Sequence, residues 1–189
     1  MIANQDKFEH GVWPGPHPLS MEYGSQELES SGLGFIAMNH RLPIVQRVSL
    51  FEQWLVNGTC DGLADAREQA RETFSNAVND SSVSVDGGTA VVESHHIGAT
   101  GVGYHFAPVV VIRNDAFRFP GVEGTHIKYT ICQFCEGYVD MPSIVADLNE
   151  IEQSGGTWGG SRTICGSPQG VSSELSLEQV VEVVKSHQL

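Results

Sequence analysis

The stretch THIKYTICQFCEGYVDMPSIVADLNEIEQSGG, residues 125–156, carries two different periods side by side. THIKYTICQF alternates strongly and is rich in β-branched and aromatic side chains, which predicts a long strand. MPSIVADLNEIEQSGG then places Met141, Ile144, Val145, Leu148 and Ile151 on one face of an amphipathic helix, with Gly155 at its C-terminal end. A strand followed by a one-faced helix needs a layered fold in which helices cover a sheet.

Upstream, PVVVIRN is a short continuous apolar run, as expected of a strand buried on both faces. SVSVDGGTAVVES offers a turn at Asp86-Gly87-Gly88 and then a strand over Thr89–Glu93. Between these, HHIGATGVGYHF reads as a glycine-rich connection. DGLADAREQARETFSNAVND is the strongest helix, with Leu63, Ala66, Ala70, Phe74 and Ala77 in one apolar stripe. IVQRVSLFEQWLVNG spaces Val48, Phe51 and Leu55 helically, and Gly58 is its stop. Residues 1–43 show no sustained period and read as loop with a short helix around Ser31–Asn39. Downstream, RTICGSP suggests a further strand, and SLEQVVEVVKSHQL a last helix with Ser176 and Gln179 at capping-box spacing.

These elements predict an α/β (α+β) chain, with a mixed sheet of about four to five strands flanked by helices. The expected division is an irregular, partly helical extension over 1–58 and an α/β domain over 59–189. There is no internal repeat.

The 189 residues carry a formal charge of −13, with ten Lys and Arg against 23 Asp and Glu. Such a surface repels phosphate backbones at long range, so bulk binding to duplex DNA is not expected. A small anion can still bind where backbone N–H groups and a few cations converge. No apolar run approaches the ~20 residues of a membrane helix. The first residues lack the pattern of a signal peptide, so a cytoplasmic location is expected. Apolar strand edges would support a homodimer.

Cys132 and Cys135 form a C-x-x-C, but no second pair completes a zinc ribbon, and Cys60 and Cys165 stand apart. His95 and His96 follow a strand, where adjacent side chains point to opposite faces, so one of them at most would face a given site. Asp6, His10 and His17 cluster in the extension without the spacing of a standard metal motif. The chain has no G-x-S-x-G, no phosphate-binding P-loop and no H-E-x-x-H.

The segment GGTWGGSRTICGSPQG, residues 155–170, follows the amphipathic helix and precedes the last one. With Val139-Asp140-Met141-Pro142-Ser143-Ile144 opening that helix, the order of elements resembles the DHHA1-type C-terminal domain of the DHH phosphoesterase superfamily, which includes RecJ-like exonucleases and oligoribonucleases. The resemblance covers roughly residues 61–189. Gly159, Gly160 and Gly166 match the family's G-G-G-H-x-x-A-x-G loop, whereas Trp158 replaces its first glycine and Ser161 its histidine. A hydroxyl can donate to a phosphate oxygen but supplies no imidazole charge or proton. The resemblance implies an accessory domain that holds the phosphate or base end of a substrate, while catalysis belongs to a preceding domain whose D-H-H motif binds two divalent ions. This chain has no D-H-H; residues 1–58 would then be the tail of such a domain, or the chain a fragment or a stand-alone version.

Three readings follow. In the first, the chain is a binding module for a nucleotide or short oligonucleotide, with no cofactor. Trp158, Gly159, Gly160, Ser161, Arg162, Thr163 and Lys128 form its site: backbone N–H groups and the Arg162 side chain grip a phosphate, Lys128 adds a cation, and Trp158 is either a stacking platform or a hydrophobic plug. In the second, it is a phosphoesterase in its own right, using Mn or Mg held by Asp6, His10, His17 and the His95–His96 pair. In the third, it is a structural or dimerisation domain in which the loop merely connects.

Overall fold

PVVVIRN and THIKYTICQF pair with each other at the centre of one sheet. The structure is a computed structural model and describes residues 33–34, 36–37, 39 and 41–189. The described residues fall into two compact units, the first reaching Asn76 and the second including Ala77–Leu189.

In the first unit, residues 33–34 and 36–37 are helical. Helix α1 (Ile44–Asn57) stops where Gly58 turns left-handed at φ 72° and gives its N–H to Trp54 O at 2.8 Å. None of its residues is buried, and Val48 and Leu55, two of the three apolar positions at helical spacing, are exposed. Helix α2 (Leu63–Asp80) runs on into the second unit. All five positions of its predicted stripe are buried, and Leu63 and Ala66 pack with Leu33 and Ile36.

The second unit is built on a six-stranded mixed open sheet. Its strands are β1 (Ser82–Asp86), β2 (Thr89–Glu93), β3 (Val109–Phe117), β4 (His126–Gln133), β5 (Gly159–Gly160) and β6 (Ile164–Gly166), in the spatial order β1-β2-β3-β4-β6-β5. Gly87 and Gly88, at φ 57° and 81°, close the two-residue turn between β1 and β2. β2 and β3 are parallel, and the other neighbours are antiparallel. The parallel crossover contains a short helix, α3 (Ala99–Gly103), where the sequence had suggested only a connection. Its two glycines carry low helix propensity, and packing overrides it: a Cβ on Gly103 would lie within the Val110 side chain.

Alternation decides what each face of the sheet does. Val109 and Val111 of β3 and Tyr129 and Ile131 of β4 face helices α4 (Met141–Ile151) and α5 (Leu177–Ser186), burying Met141, Ile144, Leu148, Val180 and Val184. Val110, Ile112 and Cys132 face the other way, against Ala99, Tyr104 and Ala107 of the crossover. The apolar run of β3 is therefore buried on both sides, as its composition predicts.

Both helices begin where their capping residues dictate. Asp140 accepts from the Ser143 hydroxyl at 2.7 Å, a bond that lowers its pKa, and Ser176 and Gln179 form a complete capping box. The far end of α5 is tied to the β1–β2 turn by Lys185–Asp86 at 2.6 Å and by Gln188 Nε2 to Gly87 O, also 2.6 Å.

Candidate functional site

The glycine-rich segment is a β-hairpin. Gly159 pairs with Gly166 and Gly160 with Cys165, and the Ser161 N–H donates to Ile164 O at 2.7 Å. That N–H, expected to face a phosphate, is thus spent on the turn. The alternation of an antiparallel ladder then directs the neighbouring Gly160 N–H away from β6, toward the open edge. The Ser161 hydroxyl accepts from the N–H groups of Thr163 and Ile164, both at 3.3 Å, so Arg162 and Thr163 form an exposed tip. Gly160 is required by close approach, since a Cβ there would collide with Ile164 O and Cys165 Cα.

Both roots of the hairpin are fixed. Trp158 is 3% exposed and stacks on Tyr129, with ring centroids 6.0 Å apart and planes 20° apart. The side-chain amide of Asn149 grips its backbone at both ends: Trp158 N–H donates to Oδ1 at 2.8 Å, and Nδ2 donates to Trp158 O at 3.1 Å. The indole N–H donates to Glu152 at 3.0 Å. The Trp158 ring therefore fills the core, and of the two roles expected for it the structure shows the plug.

Glu152 also accepts from Ser173 Oγ (2.6 Å), Glu174 N–H (3.0 Å) and Ser154 N–H (3.2 Å). Burial alone would raise its pKa, but these donors together bring it below the usual carboxylate range. On the other side of the hairpin, the buried Gln133 amide donates to Arg162 O (2.6 Å) and Val139 O (3.2 Å) and accepts from the Tyr138 and Val139 N–H groups. Its own N–H holds Thr163 O at 2.9 Å. The Arg162 guanidinium projects outward; its side chain is 75% exposed and forms a solvent-exposed ion pair with Glu136 at 3.6 Å.

Lys128 is not part of this group. The hairpin tip lies beside Gln133, and Lys128 is five residues back along β4, about 17 Å at ~3.3 Å per residue. Its side chain is buried; the ammonium donates to Ser167 O and, at 3.5 Å, to Pro168 O, and sits 5.8 Å from the centre of the Phe119 ring. Burial lowers its pKa.

Lys128 instead lines a cavity of about 460 Å³ on the sheet face opposite α4 and α5, together with His95, His96 and Arg118. The two histidines were expected to point apart, but both line this cavity, because β2 ends at Glu93 and residues 95–96 lie in a bend. His95 Nε2 meets Asp115 at 2.6 Å, and this bond holds the Asp115 carboxyl below its usual range. His96 Nδ1 accepts from the Gly98 N–H at 3.0 Å.

Asp6, His10 and His17 lie outside the described residues. Among the described residues, no group of three or more His, Cys, Asp or Glu is arranged to hold a metal ion. The C-x-x-C separates at the end of β4: Cys132 is buried in the core and Cys135 is half-buried beyond the strand. Burial pushes the Cys165 thiol up to about 12.

No family model matches the chain, and no curated protein matches it. Among solved structures, the chain is similar to PggH of Vibrio cholerae, a pGpG-specific phosphodiesterase, with a TM-score of 0.42 and 11% identity. The match covers 84% of this chain and 54% of that one, so this chain spans about half the length of the structure it matches. No helix among the described residues is long and apolar enough to cross a membrane.

Sequence reasoning missed Glu152 and Gln133, which hold the hairpin, and Arg118, which lines the cavity. Arg118 could have been singled out, since it is one of only ten Lys and Arg in the chain. The other two bond to near neighbours as well, but Ser173 and Arg162 come within reach of them only through the fold.

Proposed function

We propose that the α/β unit is an accessory binding module, similar to the DHHA1-type domain, that holds the phosphate of a nucleotide or short oligonucleotide at the tip of the β5–β6 hairpin. The observation that carries this reading is the contrast between the anchored backbone of the hairpin and the exposed side chains at its tip. Asn149, Glu152 and Gln133 fix the chain on both sides, leaving the Arg162 guanidinium and the Thr163 side chain outside. A preorganised tip loses little freedom when it binds. The guanidinium offers a phosphate two parallel N–H donors, while the Gly160 N–H and one hydroxyl of the bonded Ser161–Thr163 pair, 3.3 Å apart, supply neutral ones.

The surrounding charge favours a small ligand over a long polyanion. Holding such a ligand needs no metal; Mn or Mg would enter only with the hydrolase reading, three of whose five expected ligands lie outside the described residues.

Calorimetric titration of the full chain with a 5′-phosphorylated dinucleotide tests the proposal. Arg162→Ala is expected to weaken binding at least tenfold, on the scale of a lost charge-assisted pair of about 1.5–3 kcal/mol. Equal affinity in wild type and Arg162→Ala would overturn it.

A further inference from the structure

We infer that the cavity lined by Lys128 is a separate binding site, for a small phosphomonoester with an apolar body. It stands on its own observations and does not rest on the hairpin reading.

The first is the sign of its walls. The chain has 23 Asp and Glu and only ten Lys and Arg, yet the cavity is lined by two of those cations, Lys128 and Arg118, and by no carboxylate. Asp115, adjacent in sequence to two lining residues, is turned to His95 at 2.6 Å.

The second is the state of Lys128. Its ammonium is buried, and its partners are the carbonyl oxygens of Ser167 and Pro168 and the face of Phe119, all uncharged. Among the described residues no carboxylate forms an ion pair with it. The nearby Cys165 thiol, with its pKa pushed up to about 12, is no counter-ion either. A buried charge without an opposite charge is costly, and an anion in the cavity would offset that cost. Arg118, an exposed residue of the same lining, offers the anion a second cation. Two cations suit the dianion of a phosphomonoester better than a single carboxylate.

The third is the rest of the lining. Ile97, 93% exposed, stands at the wall with Ile112 and Phe117, giving an apolar surface beside the charged end. Thr130 and Asn114 add polar groups that would orient a ligand. The volume of about 460 Å³ falls in the ~300–1,000 Å³ range of small-molecule sites.

The test is an amide-resolved NMR titration of the full chain with phenyl phosphate, and with benzoate as the carboxylate of matching ring. Phenyl phosphate is expected to shift the amides of Ser94–Thr100 and Asn114–Arg118 saturably, and benzoate to bind at least fivefold more weakly. Arg118→Gln and Lys128→Met should each weaken phenyl phosphate severalfold, and Arg162→Ala should leave its affinity at these amides unchanged. Should Lys128→Met fail to fold, Arg118→Gln at its exposed position carries the same test. The assignment is overturned if these amides do not respond, if Arg118→Gln binds as well as wild type, or if benzoate binds as tightly. Loss of the response in Arg162→Ala would overturn the separateness of the site, whereas a silent hairpin beside a responding cavity would sink only the proposed function.

Discussion

The two faces of the sheet use the same strands for opposite purposes. One is closed: Val109, Val111, Tyr129, Ile131 and Trp158 pack against α4 and α5, burying Met141, Ile144, Leu148, Val180 and Val184. The other is covered by the crossover only over β2, β3 and the end of β4, at Ala90, Val92, Val110, Ile112 and Cys132. Beyond that, β6 and β5 present Ile164, 45% exposed, and glycines, while Thr130 and Lys128 of β4 line the cavity. A row with little apolar area gives a helix little to cover, so this part of the sheet carries no helix and Ile164 stays exposed. Alternation along β4 sends Tyr129 and Ile131 to the closed face, and Lys128 and Thr130 to the cavity on the other.

The largest expected effect breaks the closed face. Leu148→Ala, at a fully buried position, should cost about 2–5 kcal/mol in denaturant unfolding. On the half-covered face, Gly103→Ala forces a Cβ into Val110 and should cost about 1–3 kcal/mol. If it is neutral, the crossover does not pack as tightly as its geometry requires.

Acid sharpens the comparison at the hairpin root. The folded pKa of Glu152 lies below its unfolded value of about 4.3. Its stabilising effect is therefore complete above that value and lost as pH falls through the lower folded one. Near-UV circular dichroism of the Trp158 environment should hold constant from neutrality to about pH 5 and decline below about pH 4, and Glu152→Gln should remove that step. A smaller effect is expected for Ser176→Ala, which breaks the capping box of α5 for about 1 kcal/mol. Smallest is Ile164→Ala on the open face, expected within about 0.5 kcal/mol by the same unfolding measurement. A loss comparable to that of Leu148→Ala would mean the open face is covered after all.

Much of the fold was legible because it rests on local patterns. The alternation of β4, the apolar run of β3, the stripes of α2 and α4 and the capping box at Ser176 each depend on residues a few positions apart. β5 was not legible, since Gly159 and Gly160 have no strand propensity and are extended only because β6 pairs with them. Nor was α3, whose glycines argue against a helix. The pattern of α1 marked a helix correctly but said nothing of burial, and Val48 and Leu55 are exposed.

The candidate site shows the same divide. Glycine spacing marked the segment as a loop, and Arg162 and Lys128 were singled out as the cations for a phosphate. The sequence placed them in one site, whereas the fold puts one on a turn and the other in a cavity farther back along β4. Glu152 and Gln133 combine near partners, Ser154 and Trp158 for the one and Tyr138 and Val139 for the other, with Ser173 and Arg162, 21 and 29 residues away, which only the fold brings close.

By itself, then, the sequence determined which segments are helix and strand over most of the second unit, and that a glycine-rich turn stands between the last two helices. Only the tertiary structure decided what those elements face. Hydrophobic periodicity reports which residues share a side of an element, but not whether that side meets a helix, a glycine floor or water. That is why Trp158 turned out to be a buried anchor, and why Lys128, one residue from the core tyrosine it precedes, looks into a cavity on the other side of the sheet.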